Sequence, residues 1–225
     1  MTLAGWTPLF AAAERGHIDV AKELIEDWKA NKDQLSHEGT TPLYHAACKG
    51  KTDMCRYLVE TARAKVDGVD SKDNWTPLQG AVYYSRVDTV DYLIKAGADV
   101  NAHNSKQKAY TALHFAIGRK EPLTSAIVAL LEHPKIDIDA LNANGASALH
   151  LAALWGHVDV ARRLLAKKAN ATLLTKKGVS PLQMAIDNDK MDVASVIAEH
   201  TGEPFDIAAA REIAATRKKT AIRCV

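Results

Sequence analysis

The sequence predicts an all-α solenoid of helix-turn-helix units, and three regularities predict it. A Thr or Ser recurs at Thr7, Thr41, Thr76, Thr111, Ser147 and Ser180, at spacings of 34, 35, 35, 36 and 33 residues. Two positions after each anchor stands Leu9, Leu43, Leu78, Leu113, Leu149 or Leu182. Five positions after it stands Ala12, Ala46, Ala81, Ala116, Ala152 or Ala185. Copies held in register over the chain are an internal repeat. A unit of this length cannot bury its apolar face alone, so neighbouring units must stack. The expected organisation is a single domain over residues 1–217, with repeats beginning near 3, 37, 72, 107, 143 and 176.

Each anchor hydroxyl can cap the first helix of its repeat. Pro8, Pro42, Pro77 and Pro181 follow the anchor, where a missing N–H is harmless and φ is already helical. Ala112 and Ala148 replace it in the fourth and fifth repeats. Two residues before the anchor sit Gly5, Gly39, Asn74, Ala109, Gly145 and Gly178. All but Ala109 tolerate the positive φ of a tight turn. The constant Ala lets neighbouring helices approach, while the Leu fills the space between layers.

Val20, Leu24 and Ile25 form the apolar stripe of the first repeat's second helix, and Val160, Leu164 and Leu165 repeat it. Asp19, Asp53, Asp88, Asp159 and Asp192 fall in the first turn of that helix, where a carboxylate suits the dipole. The first repeat has no Gly-Ala-Asp turn, so its second helix is expected to run through Trp28. The fourth repeat carries about two extra residues around Arg119-Lys120-Glu121-Pro122 relative to the repeat period, and Pro122 is expected to open its second helix.

The segment Glu203-Pro204-Phe205-Asp206-Ile207-Ala208 follows the first-helix pattern, with Phe205 for the Leu and Ala208 for the constant Ala. It is read as a truncated capping helix over 203–217 that covers the sixth repeat, as terminal repeats require. No comparable lid precedes the first repeat, which should therefore expose apolar surface. Residues 218–225 are read as a basic, solvated tail.

Thr41-Pro42-Leu43, Thr76-Pro77-Leu78, Gly16-His17-Ile18-Asp19-Val20, Gly156-His157-Val158-Asp159-Val160 and Gly97-Ala98-Asp99-Val100-Asn101-Ala102 together resemble the ankyrin repeat. The resemblance covers nearly the whole chain. It implies six repeats joined by β-hairpin-like turns plus the capping helix. It also implies a protein-binding role and a ligand groove lined by turn tips and first helices. His114 and His150 fall at the family's Thr-Pro-Leu-His position, and His17 and His157 at its Gly-His position, so these histidines read as structural.

Composition excludes several other classes. The charge, 29 basic against 27 acidic residues, is too balanced to announce a nucleic-acid or membrane protein. Three cysteines without paired spacing fit a reducing compartment, and the expected location is cytoplasmic, with nuclear as the second choice. No apolar run approaches the ~20 residues of a membrane span. The N-terminal stretch enters the first repeat at once, leaving no room for a signal peptide.

No Gly-rich phosphate loop, paired-His metal helix or Cys-x-x-Cys is present, so no cofactor, metal or catalytic residue is expected. His45, Cys48 and Cys55 are the one cluster with reactive groups. His45 and Cys48 are a helical turn apart, but Cys55 takes the small buried position that Ala21 and Ala161 hold elsewhere.

By the resemblance, the variable groove positions lie just before the anchor and seven and eight residues after it. Large aromatics collect there: Trp6, Trp75 and Tyr110 before anchors, Tyr83, Tyr84 and Trp155 after them. Trp, Tyr and Arg are the usual hot-spot residues of interfaces. Arg15, Lys49, Lys72, Lys108, Arg119, Lys176 and Lys177 stand around them against Glu14, Glu38, Asp73 and Asp187. The mild basic excess points to a protein or peptide partner with some acidic character. The function expected is a non-catalytic scaffold or adaptor, monomeric alone; a subunit fixed in a large cytoskeletal or organellar assembly is the alternative.

Overall fold

The computed structural model describes residues 5–68, 75–104 and 109–212. Among them every regular element is helical, and the helices come in six successive pairs. The pairs are α1 (Pro8–Arg15) with α2 (Ile18–Glu26), α3 (Pro42–Cys48) with α4 (Thr52–Arg56), and α5 (Pro77–Tyr83) with α6 (Val87–Lys95). Next come α7 (Ala112–Ile117) with α8 (Thr124–Glu132), α9 (Ala148–Trp155) with α10 (Val158–Ala166), and α11 (Pro181–Asp187) with α12 (Met191–Thr201). The chain packs as two compact units, Met1–Ala116 with Ser125–Ile136, and Ile117–Thr124 with Asp137–Val225. Within the first unit α1 packs on α3 and α3 on α5; within the second α9 packs on α11.

The repeated Leu and Ala are the interlayer filling. Leu9, Leu43, Leu78, Leu113 and Leu149, with Ala12, Ala46, Ala81, Ala116, Ala152 and Ala185, are all buried. The anchor hydroxyls of Thr41, Thr76 and Ser180 accept from the backbone N–H three residues on, as capping requires. All five first-turn aspartates lie where their charge favours the helix N-terminus.

In two of the repeats a single side chain of the first helix also ties layers together. In α9, the Nδ1 of His150 accepts from the Ser147 N–H at 3.2 Å, so its Nε2 carries the proton and donates to the Val179 carbonyl at 3.0 Å. In α5, Gln79 does the same work: its Oε1 accepts from the Thr76 N–H at 3.1 Å and its Nε2 donates to the Ala102 carbonyl at 2.6 Å. A carboxylate ladder runs along the turns. Asp33, Asp67 and Asp139 each accept a backbone N–H about one repeat later, from Lys65, Asp99 and Asn170, all at 2.9 Å.

Several expectations need correction. Trp28 is not helical: α2 ends at Glu26, because Lys29 takes a left-handed φ of 53° and returns the chain to the turn. The first repeat therefore does have a turn of this kind, formed by Lys29-Ala30 in place of Gly-Ala. Arg63-Ala64, Gly97-Ala98 and Lys168-Ala169 are its counterparts, each with positive φ before the Ala. Between the last apolar position and this Ala, α6 and α10 close with Ala98 N–H on the Leu93 carbonyl and Ala169 N–H on that of Leu164. The first and second repeats each have one more residue there: in the first, Ala30 N–H reaches the Leu24 carbonyl across the Asp27-Trp28 turn. In the second, Ala64 reaches Leu58, and the helix absorbs the insertion as a π-helical turn over Tyr57–Thr61.

Pro122 does not open α8, which starts at Thr124; the Thr124 N–H instead bonds the Pro122 carbonyl, closing a tight bend ahead of the helix. Ala109 adopts the left-handed conformation its glycine counterparts adopt, with φ 48°. The capping helix is shifted. Its described part covers 207–212, with Asp206 as N-cap accepting from Ala208 and Ala209. That register leaves Ala208 exposed and buries Ala210, which packs with half-buried Phe205 against Met191 and Ile186. The rest of the expected 203–217 helix and the 218–225 tail lie outside the described residues.

Candidate protein-interaction surface

In the first unit the aromatic residues before and after the anchors meet as one connected strip. Trp6 lies 4.7 Å from the His45 ring and 5.7 Å from Phe10. His45 touches Tyr44 at 5.4 Å, edge to face, and Tyr44 reaches Trp75 at 6.5 Å. Trp75 stacks on Phe115 at 4.8 Å with an interplanar angle of 27°, and Tyr83 meets it edge-on at 5.7 Å. Tyr83 continues to Tyr84 at 5.1 Å, and Phe115 to Tyr110 at 5.4 Å. Centroid spacings of this size are those of rings in favourable mutual contact.

The strip sorts its members into two kinds. Trp6, Trp75 and Tyr110 are half-buried among other rings and brace the strip from below. Tyr83 and Tyr84 are 51% and 49% exposed at the end of α5. Trp155, 40% exposed at the end of α9, belongs to the second unit. Phe10, Tyr44, His45 and Phe115 complete the strip and were missed as site residues. The available signal was that Tyr44 and Phe115 lie three and four residues after their anchors, on the first helix, facing the ring that precedes the next or the same anchor. Gly80 is the gap that lets α5 close on α3, because a Cβ there would stand 2.7 Å from the Cys48 sulfur and 2.8 Å from the Tyr44 ring.

The charged candidates are less concentrated. Lys49 is exposed and pairs with Glu14 at 3.0 Å, bridging the first two repeats. Arg15, Lys176 and Lys177 are exposed, and Arg119 is half-buried with its carbonyl accepting from His157 Nε2 at 2.8 Å. Arg86, not singled out from sequence, is exposed and lies over Gly50, with its Nε donating to the Cys48 carbonyl at 2.9 Å. Lys72, Asp73 and Lys108 lie outside the described residues.

The His45–Cys48–Cys55 cluster is built as core. Burial pushes the Cys48 thiol up to about 11 and that of Cys55 to about 12, which keeps both as unreactive thiols near neutral pH. Burial likewise lowers the His45 pKa, and its Nε2 lies 2.8 Å from the Thr40 hydroxyl. Among the described residues no His, Cys, Asp and Glu group has the geometry to hold a metal ion, and no helix is long and apolar enough to cross a membrane.

Comparison with known proteins agrees with this geometry. A family model described as ankyrin repeats (3 copies) matches residues 9–104, 97–175 and 113–211. Alpha-latrocrustotoxin-Lt1a of Latrodectus tredecimguttatus is 32% identical over 123 residues, covering 54% of this chain and 8% of the toxin. The B-cell lymphoma 3 protein homolog of Mus musculus is 31% identical over 129 residues, covering 56% of this chain and 28% of that protein. The chain thus spans less than a third of these relatives. A solved chain from the complex of a predatory endopeptidase of Bdellovibrio bacteriovorus with an immunity protein superposes with a TM-score of 0.75 at 26% identity, covering 87% of this chain and 98% of that one. Three overlapping matches across an all-helical, paired-helix structure are decisive: the chain belongs to the ankyrin-repeat family, whose repeats are protein-interaction modules and typically non-catalytic.

Proposed function

We propose that this chain is a non-catalytic scaffold or adaptor that holds a partner protein along the aromatic strip of its first unit. The observation that carries the reading is the pair Tyr83 and Tyr84, half-exposed on a bed of rings that Trp75 and Phe115 hold rigid. Large amphipathic rings with little freedom to lose are good anchors, since binding then costs little side-chain entropy. Exposed Arg15, Lys49 and Arg86 favour a partner with acidic groups, while Glu14 partly neutralises Lys49. The second unit offers Trp155 with Lys176 and Lys177 as a separate exposed set. That a similar fold occurs in an endopeptidase–immunity-protein complex supports protein binding as its use. The free, buried Cys48 and Cys55 support a cytoplasmic setting, and we read the chain as monomeric until it meets its partner.

The test is affinity capture of the partner from the native source, followed by calorimetry with variants. Tyr84→Ala should weaken binding by about 2 kcal/mol with an unchanged melting curve, because its ring contributes to the surface more than to the core. Trp75→Ala should lose both affinity and stability, since it removes the stacked support. Substituting Lys176 and Lys177 should alter only association rate and salt dependence. Normal binding by the Tyr83 and Tyr84 variants would end this reading.

A further inference from the structure

The first repeat exposes positions that the later repeats bury. Val20 is 48% exposed, whereas its counterparts Met54, Thr89, Val160 and Val193 are buried. Leu24 is only half-buried, whereas Leu58, Leu93, Leu164 and Ile197 are buried completely. On the first helix, Pro8 is exposed while Pro42, Pro77 and Pro181 are buried. Elsewhere these places are covered by helices of the preceding layer; α4 packs on α6, and α10 on α12. Trp28, 73% exposed just past the end of α2, adds a large ring beside the open helix.

The exposed charges nearest Val20 are acidic, whereas exposed Lys22 lies on the far side of α2 and exposed Lys29 follows Trp28. Asp19 and Glu23 on α2 and Asp27 at its C-cap recur every four residues and are all exposed. At roughly 100° per residue, Glu23 and Asp27 fall within about 60° of Val20, on the side away from the buried Ala21. The open edge is therefore an apolar seam bordered by an acidic row. Two copies of the chain meeting here would set one acidic row against the other, which disfavours self-pairing.

We propose that this flank docks an amphipathic helix of a partner protein, apolar on one face and lined with Lys and Arg at its edges. A helix is the shape that covers the same positions inside the solenoid, and the basic edges match the acidic row. The surface is distinct from the aromatic strip, so the proposal does not depend on the reading of that strip.

The test uses the full chain and a fluorescent amphipathic peptide of about eighteen residues, Leu on one face and Lys on the other, with a Leu/Glu counterpart as control. The Leu/Lys peptide should bind and shift the Trp28 indole resonance, and the Leu/Glu peptide should not. Combined Asp19→Asn, Glu23→Gln and Asp27→Asn should weaken binding about tenfold or more, consistent with loss of three flanking charges. Val20→Ser should weaken it as well, and Tyr84→Ala should leave it unchanged; all these positions are exposed, so the melting curves should hold apart from a small downward shift in the triple variant, which loses the Asp19 charge at the N-terminus of α2. Equal affinity of the triple variant overturns the proposal. So does a loss caused by Tyr84→Ala, or self-association of the free chain that Val20→Glu abolishes.

Discussion

At the scale of single residues, His150 shows how one side chain joins two repeats and makes the joint sensitive to pH. Its Nδ1 must accept from Ser147 while its Nε2–H donates to Val179, so only the neutral ring fits. Burial lowers its pKa accordingly. The folded state thus resists a proton that the unfolded chain accepts near pH 6.5. Stability from this residue is whole above that value and falls away as pH drops from there towards the depressed folded value. His45, also lowered by burial, adds in the same direction. Gln79 makes the equivalent pair of bonds in the third repeat without a titrating group. His150→Gln should therefore cost no more than about 1 kcal/mol at pH 7.5, since both bonds can re-form. Its disadvantage should shrink between pH 7 and pH 5. Thermal melts of both proteins across that range check it; parallel curves would show that His150 does not titrate on unfolding.

At the scale of the element, the turn after the second helix of the first, second and fifth repeats carries a strain that the glycine of the third repeat avoids. Gly97 takes φ 88° freely, whereas Lys29, Arg63 and Lys168 are held at 53°, 59° and 65°. A left-handed L-residue costs about 1–2 kcal/mol, and replacing it by Gly returns part of that to unfolded-chain entropy. Lys168→Gly should raise stability by about 0.5–1 kcal/mol in urea titration. Lys167→Gly next door, where φ is −88°, should lower it by a similar amount. The opposite signs at adjacent lysines separate backbone conformation from charge. The π-turn at Tyr57–Thr61 is a second solution to the same problem of length: one surplus residue is taken up within the helix so that Ala64 still reaches its buried place.

At the scale of the molecule, the two ends of the chain of repeats are unlike. The sixth repeat is covered by the 207–212 helix through Phe205 and Ala210, while the flank of the first repeat is open. Because each repeat is stabilised by its neighbours, an uncovered end lacks one interface and should open first. Native-state hydrogen exchange should find the amides of α2 less protected than those of α6 and α10. Phe205→Ala should cost about 1–2 kcal/mol, below the full value for a buried Phe, because the ring is half-buried. Deleting residues 203–225 should destabilise α12 selectively, read by exchange at its amides. Uniform protection from α2 to α12 would mean that the chain opens as one cooperative unit.

The all-helical fold and the register of the layers are legible in the sequence, and so are most caps: Thr41, Thr76 and Ser180 cap as expected, while the Thr7 hydroxyl makes no capping bond. Those follow from local chemistry repeated at a fixed period: a hydroxyl that caps, a Leu that fills, an Ala that lets helices approach. The sequence also indicated which positions before and after the anchors carry large rings. What it could not decide was how much of each ring reaches solvent, because that depends on neighbours a repeat away. Trp75 and Tyr83 look alike as groove candidates, yet stacking on Phe115 makes one a support and leaves the other half-exposed. The shift of the C-terminal cap from Ala208 to Ala210 has the same origin. Local pattern allowed either alanine; Asp206 capping the helix and the fit against Met191 and Ile186 selected one. The end of α2 likewise turned on Lys29 accepting a conformation its side chain disfavours, which accompanies the closing bond from the Ala30 N–H to the Leu24 carbonyl and which composition does not reveal.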